Sequence, residues 1–163
     1  MIGGCISPKI IEKQDKKYDI IDWDGGELAF VTFKWNLFNT NKSTQILQYF
    51  IDLSNERNLS ETVVGRFPSG TVWQLGILIN QPLDIKNVLG YQIESLTIPA
   101  GKYGRMKSEG YPEMLFVHWE KLKKWLLKDK YDIKSPVFEI FTEILAKEIP
   151  KNQRKGEIRY RIE

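Results

Sequence analysis

Glu139 stands alone in an apolar stretch, Ser135-Pro136-Val137-Phe138-Glu139-Ile140-Phe141. β-Branched and aromatic residues dominate there and Ser-Pro punctuates its start, which predicts a strand. Alternate side chains of a strand share a face. Val137, Glu139 and Phe141 therefore point one way, and Phe138 and Ile140 the other. Neither face is polar, so the carboxylate has two readings. It sits at a sheet edge with its head in water, as charged groups usually do. Or it is buried, and then its pKa rises, it gains a partner, or it meets a ligand.

Other chemistries find few residues. Cys5 is the single cysteine, so no intramolecular disulfide forms, and with one histidine there is no Cys/His zinc set. A Ser-His-Asp triad would have to use His118, which the pattern places on a helix among apolar residues. Gly25-Gly26 and Gly101 are turn glycines and do not make a phosphate loop. No metal or cofactor is expected. The net charge of +3, with acids and bases interleaved, is too mild to argue for nucleic acid. No apolar run is long enough to span a membrane. Met1-Ile2-Gly3-Gly4-Cys5 lacks the apolar stretch of a lipoprotein signal, and Ile2 excludes myristoylation. The chain reads as cytoplasmic.

The 163 residues suit one domain, or two small halves sharing a core. Aromatic residues make up 12% of the chain, enough for a flat-ligand pocket as well as a core. Residues 1–17 read as a polar tail or a first strand. Tyr18 to Trp23 can be extended, and Asp24-Gly25-Gly26 reads as a hairpin turn. Glu27 to Trp35 is a strand. Asn41 or Ser43 can cap a helix that carries Ile46, Leu47, Phe50 and Leu53 at helical spacing and ends near Asn58. Strands follow at Thr62–Phe67 and Thr71–Asn80, joined by Pro68-Ser69-Gly70.

The order then begins again. Tyr91-Gln92-Ile93-Glu94 echoes Tyr18-Asp19-Ile20-Ile21 at an offset of 73, from 18 to 91. Pro99-Ala100-Gly101 is a turn, and Lys102 to Ser108 a strand. Pro112 opens a helix whose stripe is Leu115, Trp119, Leu122 and Leu126, with lysines on its solvated side. The Glu139 strand and a last strand, Gly156–Glu163, complete the half. Two repeats, about 18–90 and 91–163, are expected within a single domain of residues 1–163. The predicted fold is α+β: a duplicated β-α-β-β unit, an antiparallel sheet, two helices on one face and a central groove. At the same offset Arg66 matches Glu139, so both are expected near the pseudo-twofold axis.

Ile98-Pro99-Ala100-Gly101-Lys102-Tyr103, the Trp119–Leu126 helix and Pro136–Phe141 together resemble the GyrI-like small-molecule-binding domain. That domain is also the effector-binding part of AraC- and MerR-type multidrug regulators. The match covers the second half through these motifs and the first half through its layout. It implies a duplicated unit around a groove, an architecture shared with the haem-associated SOUL proteins. It also implies that Glu139 meets cationic or polar aromatic ligands and that Tyr103 lines the groove. Phe141 stands where the family has a tyrosine, so a hydroxyl is missing there. Phe33, Trp35, Trp73 and Trp119 are further candidate walls, with ordinary core packing the alternative for each; Arg66 is counted with the site.

The resemblance leaves three functions open. The first is a stand-alone binding protein for aromatic, amphipathic or cationic compounds. The second is a cofactor-independent hydrolase that opens strained electrophilic rings of the cyclopropane type, with Glu139 acting on water and Tyr103 assisting. The third is a module that binds a protein partner, as gyrase inhibitors do. Too few residues precede the first repeat for a DNA-binding domain, so direct DNA binding by this chain is not expected.

Overall fold

The computed structural model describes residues 18–36, 40–59, 63–143 and 148–162. The tail or first strand expected at 1–17 lies outside the described residues. The chain runs β1 (Tyr18–Trp23), β2 (Gly26–Lys34), α1 (Thr40–Arg57), β3 (Val63–Phe67) and β4 (Val72–Ile79). Two short strands, β5 (Asn87–Val88) and β6 (Tyr91–Gln92), pair only with each other. The second half runs β7 (Glu94–Ile98), β8 (Gly101–Glu109), a 3-10 segment (Pro112–His118), α2 (Trp119–Lys128), β9 (Val137–Phe141) and β10 (Lys155–Arg161).

Eight strands make one antiparallel sheet in the order β1-β8-β10-β9-β3-β4-β2-β7. The order is palindromic about the β3–β9 pair, as a duplicated β-α-β-β unit requires. All five residues of β9 are buried, because both faces of this central strand are covered. On one face, Val63, Phe67, Val137 and Phe141 join Ile46, Leu47 and Phe50 of α1 and Leu122 and Leu126 of α2. On the other, Leu28, Phe30, Val64, Ile98, Tyr103, Phe138 and Ile140 form a second cluster without helix residues. Both helices therefore lie on one face, and the sheet curls into a half-barrel around the second cluster.

The apolar stripes explain the helix placement. Leu122 and Leu126, one turn apart, are fully buried, while Lys121, Lys123, Lys124 and Lys128 stay exposed. Removing either leucine side chain would destabilise the fold by about 2–5 kcal/mol. α1 begins at Thr40, ahead of both expected caps, and Ser43 is buried within it. Asn58 takes a left-handed φ of 52° just past its end, a conformation asparagine tolerates better than most residues. The expected Pro112 helix is 3-10 up to His118 and α-helical only from Trp119.

One turn and one repeat match differ from the sequence reading. β1 pairs with β8, and β2 with β4 and β7, so Asp24-Gly25 does not close a hairpin. Each outer strand pairs across the repeat boundary. Where the two linkers pass, a Cβ on Gly25 would run into the Ile98 carbonyl, and Gly25 has φ +65°. Glycine suits both demands. The echo at Tyr91 also falls elsewhere: Tyr91 belongs to the β5–β6 hairpin, and the counterpart of β1 in the sheet order is β7.

Candidate functional site

Glu139 lies at the middle of β9, directly opposite Gly65 of β3. Its side chain shares the helix-covered face with Val137 and Phe141 and is only 1% exposed. The indole N–H of Trp119, the first residue of α2, donates to Glu139 Oε2 at 2.6 Å. Among the described residues no cation pairs with Glu139. Burial pushes its carboxyl up to about 8, and the Trp119 hydrogen bond draws it partly back down. Near neutral pH the closed site therefore holds a mostly protonated carboxylic acid.

Aromatic rings wall this carboxyl on the helix side. Trp119 packs on Phe67 with ring centres 4.8 Å apart, and Phe67 meets Trp73 edge-on at 4.9 Å. Trp73 stacks on Trp35 at 4.9 Å and 5°. Phe116, from the 3-10 segment, touches Trp35, Trp73 and Trp119, and Phe33 meets Trp73. The Trp35 indole nitrogen is buried and finds no acceptor among the described residues. The rings are contributed by β2, β3, β4, the 3-10 segment and α2, so both repeats build the site.

Six of the eight candidate residues are thus brought to one face: Glu139, Phe141, Trp119, Trp35, Phe33 and Trp73. Tyr103 and Arg66 are not. Tyr103 is fully buried in the other cluster, its hydroxyl donating to the Pro99 carbonyl at 2.7 Å. Tyr103, expected to line the groove with Glu139, thus lies on the opposite face of the sheet from it, because Gly104 and Met106 are the β8 residues that face the helices. Arg66 stands opposite Phe138, on the far face from Glu139, and donates to Gln74 Oε1 at 2.7 Å. The central pair relates the repeats by an offset of 74, from 65 to 139, and replaces Arg66 with Gly65 as the counterpart of Glu139. Phe67 and Phe116 were not among the candidates. The signal for Phe67 was its place two residues from Gly65, on the same face as Val63.

Among the described residues, no cluster of three or more His, Cys, Asp or Glu could hold a metal ion. No helix among them is long and apolar enough to cross a membrane. A cavity of about 640 Å³ lies beside the β5–β6 hairpin, lined by Leu83, Ile85 and Ile93, away from Glu139.

No protein-family model and no curated protein matches the chain. Solved structures do match in fold. EcmrR in a complex with DNA matches with a TM-score of 0.71 and 12% identity over 99% of this chain, which spans 65% of the EcmrR chain. The isolated EcmrR C-terminal domain matches at 0.66, with 13% identity over 90% of this chain and 96% of that one. SAV2435 bound to tetraphenylphosphonium matches at 0.60, with 12% identity over 91% and 94% of the two chains. A hydrolase from Listeria innocua matches at 0.54, with 10% identity over 95% and 98%. At such identities the likeness is one of fold. With the duplicated unit and the curled sheet, that fold is the GyrI-like one.

Proposed function

We propose that this chain binds flat or globular apolar cations at Glu139, between the two repeats. The observation that carries this is a carboxyl buried under aromatic rings with one hydrogen-bond donor and, among the described residues, no cationic partner. A lipophilic cation supplies the missing charge, and aromatic faces attract it further. Such a site asks for charge and shape and has few directed hydrogen bonds, so it should accept several cations of similar bulk. The likeness of fold to SAV2435, whose structure holds tetraphenylphosphonium, supports the same reading.

Binding requires two changes. Trp119 must move from above the carboxyl, because the rings close the site. Glu139 must also ionise, so cation binding expels a proton below pH about 8. Equilibrium titration tests the claim. Tetraphenylphosphonium should bind at least about tenfold more tightly than neutral triphenylphosphine oxide, about 1.4 kcal/mol. Glu139→Gln should remove that preference. Equal affinities for the two compounds in the wild type would refute the site.

A second reading is a hydrolase, suggested by the fold of the Listeria innocua enzyme. A carboxyl with a pKa near 8 can give up a proton as a general acid. Tyr103 lies across the sheet from it, so Glu139 would act without that hydroxyl. This isolation favours binding over catalysis. Incubation with a cyclopropane-containing alkylator distinguishes the two: ring-opened product that scales with protein and is lost in Glu139→Gln would establish the enzyme.

A further inference from the structure

Arg66 is half-buried on the face away from the helices, and among the described residues its one hydrogen-bond acceptor is the neutral Gln74 Oε1. Among the described residues no carboxylate pairs with it. Burial alone lowers its pKa, with no neighbouring charge contributing. A desolvated guanidinium without a counter-charge is costly and is usually matched by an anion. Asp19 and Glu157 on the same face are engaged elsewhere, Asp19 by Arg105 and Glu157 by Arg105 and Arg159.

Arg66 opens onto a cleft of about 240 Å³ that Lys134 and Arg161 also line. Lys134 has only a loose, exposed contact to Asp132 at 3.8 Å. The remaining walls include Phe138, Leu96, Ile98 and Pro99. Leu96 and Ile98 belong to the edge strand β7, which the curl of the sheet carries round to β9. Three basic residues thus line one concave surface with an apolar wall, a chemistry opposite to that around Glu139.

We propose that this cleft is a second ligand site, for a small anion that joins a carboxylate or phosphate to a flat apolar body. Guanidinium groups match either head in a bidentate fork, and Lys134 adds a point charge. The apolar body packs on Leu96 and Pro99, the apolar wall residues that keep accessible surface. The site does not depend on Glu139, whose side chain lies on the other face of the same strand.

Calorimetric titration of the full chain with 1-naphthoate, 1-naphthyl phosphate and neutral 1-naphthalenemethanol tests this. The naphthyl anion with the matching head should bind at least about tenfold more tightly than the alcohol, and the two anions distinguish the carboxylate from the phosphate source. Lys134→Gln, at an exposed side chain that leaves the fold intact, and Arg66→Gln should each weaken anion binding about fivefold or more. Neither should alter binding of the alcohol. Glu139→Gln should leave anion binding unchanged, whatever becomes of cation binding. Alcohol binding as tight as anion binding, or full anion affinity in Lys134→Gln, would overturn the proposal.

Discussion

Gly65 and Glu139 face each other at the centre of the sheet, and the absent side chain at Gly65 lets the Phe67 ring lie beside the carboxyl. A Cβ on Gly65 would come within 2.6 Å of the Phe67 ring. That ring in turn supports Trp119, the donor to Glu139. The two repeats therefore differ at their shared axis: one supplies the acid and the other supplies the space beneath its lid.

Gly65→Ala should overpack this point. The added methyl must displace Phe67, at a cost of about 1–3 kcal/mol. A thermal melt reads the loss directly, and an unchanged midpoint would mean that Phe67 moves aside freely.

The same relationship shows what could be read from the chain. The helical stripe Ile46, Leu47, Phe50 and Leu53 and the run Val137–Phe141 carry their own periodicity, so those elements were legible. Glu139 was legible too, as a carboxylate with apolar neighbours on both sides. The pairing of Arg66 with Glu139 was not. It rested on an offset of 73 where the central pair has 74, and a slip of one residue moves a strand side chain to the opposite face. Tyr103 failed for a related reason, since which residues of β8 face the helices depends on packing with α2. The Asp24-Gly25 turn shows that a chain reverses there but not which strand it then pairs with. That choice belongs to contacts some eighty residues away, such as Asp22 with Lys102.

Glu139→Gln should change how stability depends on pH. In the folded chain the carboxyl titrates near 8, while unfolding returns it to about 4.5. Between these values the folded state holds the proton and the unfolded state has lost it, so wild-type stability falls as pH rises. The glutamine variant lacks this loss. Its advantage should grow by about 1.4 kcal/mol per pH unit across that window and level off above it. Denaturant melts near pH 5, 6.5 and 8 provide the check, and parallel pH profiles would show that Glu139 is not buried in solution.

Trp119→Phe should keep an aromatic lid but remove the N–H. That hydrogen bond favours the ionised carboxylate, so its loss should push the Glu139 pKa further above 8. The pH at which cation affinity reaches its plateau should move upward, with binding near pH 7 weakened. A plateau that stays in place would mean that Trp119 does not donate to the carboxyl in the free protein.

Tyr103→Phe should act on stability alone. It removes the hydroxyl bond to the Pro99 carbonyl, worth about 0.5–1.5 kcal/mol. Cation affinity should be unchanged, because the ring lies on the other face. A selective loss of binding or of turnover without a change in stability would place Tyr103 in the functional site after all.

Proton release on ligand binding tests the central claim most directly. Calorimetry with tetraphenylphosphonium near pH 7, repeated in buffers of different ionisation enthalpy, counts the protons expelled. A carboxyl that titrates near 8 and ionises beneath a bound cation should release close to one proton, about 0.9. Glu139→Gln should release none and bind more weakly. Tight binding with no buffer dependence, equal in the wild type and Glu139→Gln, would mean that the cation does not bind at Glu139.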